Sequence, residues 1–237
     1  MRLDQWLVSQ GHARDLKHAA GLILSANVLI NNIPITFAGQ KVREDDVIRI
    51  RKQKKWVARS AEKLDFALNS FQYSVQNKIC LDVGASTGGF TQVLLEHQAR
   101  EVIALDVAYG FLHPVLRDDP RVKIMERTHI CKITSGDVPS RPDMFVADVS
   151  FISLQKVCLC LKKLYANWEG IVLFKPQFEA RSENLENGIL SDVTILERLI
   201  ADFKEYLTSN KIFLENEIES PIRGKKGNRE FLFLIRW

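Results

Sequence analysis

The chain has 237 residues, 46% of them hydrophobic and 26% charged, enough for one large or two modest domains around a sizeable core. No apolar run approaches the roughly 20 residues a membrane helix needs, and no secretory signal opens the sequence, so a cytoplasmic protein with no membrane partner is expected. The formal net charge is +4, yet ten Lys/Arg against five Asp/Glu fall up to Ala58, while the remaining 179 residues carry 23 against 24. Basicity confined to the first quarter implies a polyanionic partner, nucleic acid above all.

The first fifty residues read as two helices and a small sheet. "RLDQWLVSQ" sets Leu3, Trp6 and Leu7 at helical spacing, with Gly11 as the stop. "RDLKHAAGLILSAN" repeats the pattern through Leu16, Ala19, Ala20, Ile23 and Leu24. "VLINNIPIT" predicts two short strands joined at Asn31-Asn32, since asparagine tolerates left-handed turn positions. In "DDVIRIRK", Ile48 and Ile50 face one way and Arg49 and Arg51 the other. Five basic residues then fall between Arg49 and Lys55, ahead of Trp56. "SAEKLDFALNSF" carries an apolar helical stripe of Leu64, Ala67, Leu68 and Phe71, with Lys63 at its shoulder.

From about Asn77 onward strands and helices alternate, which predicts a mostly parallel sheet wrapped by helices. Strands are expected at "KICLDV", "EVIALDV", "VKIMER", "DMFVADV", "GIVLFKP", "KIFLENEIES" and "EFLFLIRW", and helices at "GFTQVLLEH", "GFLHPVLRDD", "LQKVCLCLKKLYA" and "VTILERLIADFKEYL". The last two strands have no helix between them and should form an antiparallel hairpin, the ending that separates a class I methyltransferase sheet from a plain dinucleotide-binding one. The four cysteines, Cys80, Cys131, Cys158 and Cys160, have no metal-ligand spacing, and Cys158 and Cys160 point to different sides of one helix. Four free, buried thiols are expected in a reducing compartment.

Within "LDVGASTGGFTQ", the run from Gly84 to Gly89 matches neither the dinucleotide fingerprint nor a phosphate loop, because no lysine follows the glycines. What remains is a turn of small residues that lets a ligand lie against the backbone, with Asp82 just before it. Asp106 ends the next strand, where a carboxylate can accept both hydroxyls of a ribose. An adenosine-bearing cofactor with no phosphate requirement is S-adenosylmethionine. Asp148 and Lys175 close two further strands, and Glu230 opens the last one, which runs against the others. All three therefore belong to one sheet edge.

The N-terminal segments "RLDQWLVSQGHARDLKHAAGLILSANVLINN" and "KVREDDVIRI" resemble the S4 RNA-binding domain. That resemblance implies docking on folded RNA through Arg2, Arg14, Lys17 and Lys41, by shape and phosphates rather than base sequence. Arg49, Arg51, Lys52, Lys54 and Lys55 would extend this basic surface. "DVGASTGGFT", "ALDVAYGFL", "ERTHI", "ADVSFISL", "LFKPQFE" and "SPIRGKKGNREFL" resemble the TlyA family of ribosomal RNA methyltransferases, also named haemolysins, whose catalytic domain is of the FtsJ type.

The resemblance implies an α/β protein. Its class I, Rossmann-like, S-adenosylmethionine-dependent methyltransferase sheet has seven strands and a terminal antiparallel hairpin, and a small α+β S4-like domain precedes it. It implies methylation of a ribose 2′-hydroxyl of rRNA, typically on cytidine. The expected boundaries are 1–52 for the S4-like part, 53–76 for a linker with a leading helix, and 77–237 for the methyltransferase. The family's catalytic set falls on Lys63, Asp148, Lys175 and Glu230. Cofactor contacts are expected from Asp82, Gly84, Ala85, Ser86, Thr87, Gly88, Gly89, Phe90, Asp106, Thr128 and Asp148. Two departures stand out: Ser60, Ala61 and Glu62 replace the Gly-Gly-Leu that precedes the first lysine, and His129 stands where the family commonly has Asn.

A ribose hydroxyl must lose its proton as the methyl group arrives, and a lysine beside a second cation can assist. Lys175 is expected to be that base or hydroxyl-orienting cation, with Asp148 its partner and Lys63 and Glu230 completing the network. Two other classes are weighed against this reading: a non-catalytic RNA- or ribosome-binding protein, and a membrane-active haemolysin. Intact Asp148, Lys175 and Glu230 speak against the first. The lack of a spanning or strongly amphipathic basic segment speaks against the second.

Overall fold

The computed structural model describes residues 1–51 and 55–237. The chain divides into two compact units, Met1–Lys55 and Trp56–Trp237.

In the first unit, α1 (Leu3–Ser9) and α2 (Leu16–Leu24) precede three short strands, β1 (Val28–Ile30), β2 (Ile33–Ile35) and β3 (Ile48–Ile50). Asp15 starts α2 by accepting the His18 amide at 2.7 Å, which satisfies one of the donors a helix start leaves open. Asn31 and Asn32 both adopt positive φ, so the chain reverses between β1 and β2 as the Asn-Asn pair predicts. The sheet order is β2-β1-β3, all antiparallel. Leu3, Leu7, Ala19, Ile23 and Val28 are fully buried and form this unit's own core.

The second unit begins with α3 (Ser60–Ser70), then β4 (Ile79–Val83), α4 (Gly89–Glu96), β5 (Glu101–Leu105), α5 (Pro114–Arg117) and β6 (Val122–Met125). It continues with β7 (Met144–Ala147), α6 (Leu154–Leu164), β8 (Glu169–Phe174), α7 (Pro176–Glu179), α8 (Val193–Ser209), β9 (Phe213–Glu219) and β10 (Phe231–Arg236). All seven expected strands form, in the order β6-β5-β4-β7-β8-β10-β9. Strands β4 to β8 are parallel, and β10 lies antiparallel between β8 and β9. The terminal hairpin is therefore added at the β8 edge through its second strand, which leaves β9 outermost.

Alternate residues of each strand feed two cores. Cys80, Val102, Met144, Ile171 and Leu232 pack with α3 and α4 on one face, while Leu81, Ile103, Phe145, Val172 and Phe233 pack with α6 and α8 on the other. Trp56, which follows the basic run, is buried in the first of these cores. No helix among the described residues is long and apolar enough to cross a membrane.

Two expectations need correction. The helix expected over "GFLHPVLRDD" spans only Pro114–Arg117, because Pro114 sets its first position and His113 caps it by accepting the Val115 amide. The cysteines are not all free: Cys131 and Cys160 form a disulfide with Cα atoms 5.0 Å apart. The free-thiol expectation rested on compartment and spacing. The fold instead brings the turn after β6 against α6, although 29 residues separate the two cysteines. Cys80 and Cys158 remain free and buried, and burial pushes both thiols up to about 12.

Candidate active site

Five adjacent strands deliver the candidate residues in spatial order. Asp106 follows β5, Gly84 follows β4, Asp148 follows β7, Lys175 follows β8, and Glu230 precedes β10. The sheet order reverses between β4 and β7, and ligands of open α/β sheets bind at such a switch point, beyond the carboxyl ends of the strands.

Two cavities open there. The larger, about 530 Å³, is lined by Gly84, Ser86, Asp106, Thr128, His129 and Asp148, among others. The smaller, about 250 Å³, is lined by Ala85, Ser86, Thr87, Phe90, Asp148 and Lys175, together with Ser60 and Ser150. Gly84, Ser86, Asp148 and Ser150 belong to both walls. Gly84 has φ +85°, and a Cβ there would stand 2.6 Å from the Asp148 carbonyl oxygen, so only glycine lets these two strand ends approach so closely.

Asp106 is held by its surroundings. Its Oδ2 accepts the Ser86 amide and its Oδ1 the Ala108 amide, each at 2.7 Å. One further lone pair on each oxygen remains for another donor. Asp82 lies inside β4, fully buried, and lines neither cavity. Its Oδ2 accepts the Thr91 hydroxyl at 2.6 Å, while its Oδ1 has no hydrogen-bond partner. Burial pushes this carboxyl up to about 7, against the pull of the Thr91 hydrogen bond, and the charges of Asp148 and Asp106 add to the rise. Gly88 and Gly89 also line neither cavity; they start α4, where Gly88 adopts φ +94°.

The four charged residues meet as two separate pairs. Lys175 Nζ lies 2.5 Å from Asp148 Oδ1 and donates to Ser150 Oγ at 3.2 Å. Lys63 Nζ donates to Glu230 Oε2, and both side chains are almost wholly buried, at 9% and 3% exposure. Neither Lys63 nor Glu230 lines the two cavities. Each lysine thus has its own carboxylate.

An FtsJ-like methyltransferase family model matches residues 56–237, and an S4 domain model matches residues 1–48. The chain belongs to the FtsJ-like methyltransferase family. Among relatives of this FtsJ-like methyltransferase, Hemolysin A of Brachyspira hyodysenteriae is 38% identical over 98% of both chains. The 16S/23S rRNA (cytidine-2′-O)-methyltransferase TlyA of Mycobacterium tuberculosis is 37% identical over 99% of this chain and 89% of its own. A solved structure of a candidate hemolysin from Streptococcus thermophilus superimposes with a TM-score of 0.74 at 32% identity, covering 100% of this chain and 88% of its own.

In this FtsJ-like methyltransferase the basic residues of the S4 domain are exposed, but not all are free. Arg2 makes a two-pronged contact with Asp4, at 2.7 and 3.1 Å, which holds that carboxyl below its usual range. Arg14 lies 3.5 Å from Asp15, and Arg49 donates to the Asn32 side chain at 3.2 Å. Lys17, Lys41 and Arg51 are exposed, whereas Lys52 and Lys54 lie outside the described residues; Lys55, at the end of the basic run, is exposed but not free of partners.

Sequence reasoning missed Ser150 and Gln177. Ser150 sits two residues beyond Asp148 in the wall shared by both cavities, and Gln177 donates to Glu230 Oε1 at 3.0 Å. The signal available was position alone, since each lies two residues from a candidate at a strand end.

Proposed function

We propose that this chain transfers a methyl group from S-adenosylmethionine to the 2′-hydroxyl of a cytidine ribose in ribosomal RNA, acting in the cytoplasm. The observation that supports the reading is that Asp148, in the wall common to the two cavities, is ion-paired with Lys175, which lines the smaller one. The names of relatives at 37% identity support ribosomal RNA as substrate, and the S4 domain supports an RNA partner.

The larger cavity fits the donor. Its Asp106 carboxylate keeps lone pairs for two ribose hydroxyls, and the Gly84 turn lets a ligand lie against bare backbone. Thr128 and His129 line the same cavity, and Ser86, Ala85 and Thr87 continue its floor into the smaller one. When bound, S-adenosylmethionine supplies an electrophilic methyl on a positively charged sulfur.

The remaining work falls to the protein. Lys175, held by Asp148 and Ser150, places its nitrogen at the smaller cavity, where it orients the 2′-oxygen. A neutral Lys175 amine would take the hydroxyl proton while the 2′-oxygen bonded to the methyl group and the methyl–sulfur bond broke, the thioether being the leaving group. Proton transfer of this kind contributes ~10²–10⁴ in rate, and alignment of the hydroxyl supplies much of the rest.

The test is incubation of the purified full chain with tritiated-methyl S-adenosylmethionine and ribosomal subunits from cells lacking this protein, followed by mapping of 2′-O-methylation. Label at a ribose 2′-oxygen is expected. Cofactor binding without label in either subunit would overturn the reading in favour of a non-catalytic RNA-binding protein.

A further inference from the structure

Four side chains of the turn "KPQFE" after β8 contact two other segments of the chain, the stretch from Asp148 to Leu154 and the start of β10 at Glu230. Lys175 reaches Asp148 and Ser150, Gln177 reaches Glu230, Phe178 meets the ring of Phe151 at 5.4 Å, and Glu179 accepts the Leu154 amide at 2.7 Å, capping α6. Three of these contacts have an evident use, in holding the amine, packing a ring and starting a helix. The fourth, from Gln177, reaches a carboxylate that belongs to the other ion pair.

Glu230 is 3% exposed, and its carboxylate only accepts hydrogen bonds, so the amide nitrogen of Gln177 must face it. Oε2 of the same carboxylate takes Lys63, which leaves Oε1 for Gln177. Gly224 closes the remaining side, because any side chain there would collide with Oε1. The amide oxygen of Gln177 is itself buried without a hydrogen-bond partner. A methionine would remove that unpaired oxygen but would leave the buried Glu230 Oε1 without its donor, so the glutamine ties the turn to the carboxylate at the cost of one unpaired oxygen of its own.

The strand register makes the contact meaningful. Phe231 pairs with Phe174, so Glu230 and Lys175 are the next residues along neighbouring strands. Their side chains nonetheless go to different partners, and Gln177 is the side-chain link from the turn of Lys175 to the buried pair.

We propose that Gln177 is a positioning residue for methyl transfer, locking the turn that carries Lys175 to the Lys63–Glu230 pair through one hydrogen bond. On this account Lys63 and Glu230 act on the reaction by fixing that turn. The inference rests on the reading that Lys175 serves the reaction.

The test compares the full chain with Gln177→Met, Glu230→Gln and the double variant. It measures kcat and KM for methylation of ribosomal subunits, the Kd for S-adenosylmethionine, and the melting temperature. Gln177→Met is expected to lower kcat about 10- to 100-fold, the loss typical of one hydrogen bond to a charged group, with KM and Kd within about twofold. In the Glu230→Gln background the same change should cost little more, because its partner is already altered. Should Gln177→Met fail to fold, the near-isosteric Gln177→Glu carries the test, and its facing carboxylates should lower kcat at least as far. A folded variant with wild-type kcat overturns the inference, as does an equal loss in both backgrounds or a loss confined to Kd. An inactive wild-type protein overturns instead the reading of function on which it rests.

Discussion

Lys175 and Asp148, 27 residues apart in sequence, are ion-paired at 2.5 Å at the ends of neighbouring parallel strands. The pair lies on the wall of the smaller cavity, and Asp148 also faces the larger one. A cation placed this way can act on an acceptor without contributing to the floor that holds a donor.

Lys175→Ala should therefore separate binding from chemistry. Calorimetry is expected to give an S-adenosylmethionine Kd within about threefold of wild type, while methyl transfer falls by ~10²–10⁴. Full activity in the tritiated-methyl assay would remove Lys175 from the mechanism.

Asp106→Ala should do the reverse. Loss of the carboxylate removes the acceptor for the ribose hydroxyls and the partner of the Ser86 and Ala108 amides. The expected effect is a Kd for S-adenosylmethionine weaker by at least about tenfold, the scale of one lost hydrogen bond to a charged group. Unchanged affinity would place the adenosine elsewhere.

The buried pair makes a prediction about stability. Lys63→Met leaves the Glu230 carboxylate buried beside a neutral side chain, which costs about 3–5 kcal/mol when one partner of such a pair is removed. Lys63→Met combined with Glu230→Gln should recover much of that loss. Urea unfolding of the three proteins checks both statements, and equal midpoints for all three would show that the pair carries no such energy.

Asp82 sets a pH dependence. Its carboxyl titrates near 7 when folded, above its ordinary value, so the native state binds the extra proton between about pH 4 and 7. Its contribution to stability is therefore greatest on the acid side and is lost as pH rises through 7. Asp82→Asn keeps an acceptor for Thr91 and does not titrate. Its stability relative to wild type should rise from pH 5 to pH 8, as read by urea unfolding at both values. A stability difference, variant minus wild type, that is constant or falls with pH would contradict the assignment.

The disulfide ties the turn after β6 to helix α6, two segments that each contribute to the wall of the larger cavity. Cys131 is two residues past His129, and Cys160 is on the helix that carries Val157; His129 and Val157 both line that cavity. Closing a loop of this length stabilises by about 3–4 kcal/mol in the chain-entropy account. A dithiol reductant, or Cys160→Ser, should lower the melting temperature by several degrees and weaken S-adenosylmethionine binding. A protein indifferent to reductant would show that the fold holds these segments unaided.

Much of this was legible in the sequence. Strand alternation and the missing helix before β10 were enough to predict seven strands with an antiparallel end, because a parallel crossover needs a connection that the segment between β9 and β10 does not provide. Asp106, Asp148 and Lys175 could be placed from their positions at strand ends. The disulfide was not legible, since no local pattern says that residues 29 apart meet. The division of the charged residues into two pairs was also hidden. Side-chain direction depends on the β8–β10 register and on how α3 packs, and neither follows from spacing. Gln177 escaped for the same reason: its partner lies 53 residues away.

The order of strands in space differs from their order in time. During synthesis β9 leaves the ribosome before β10, the strand that joins it to the sheet. Until β10 follows, β8 and β9 each present an unpaired edge, and Lys63 waits for a carboxylate 167 residues downstream. A chain cut short between Glu219 and Glu230 would therefore leave β8 and β9 with unpaired edges open to association and Lys63 without its carboxylate.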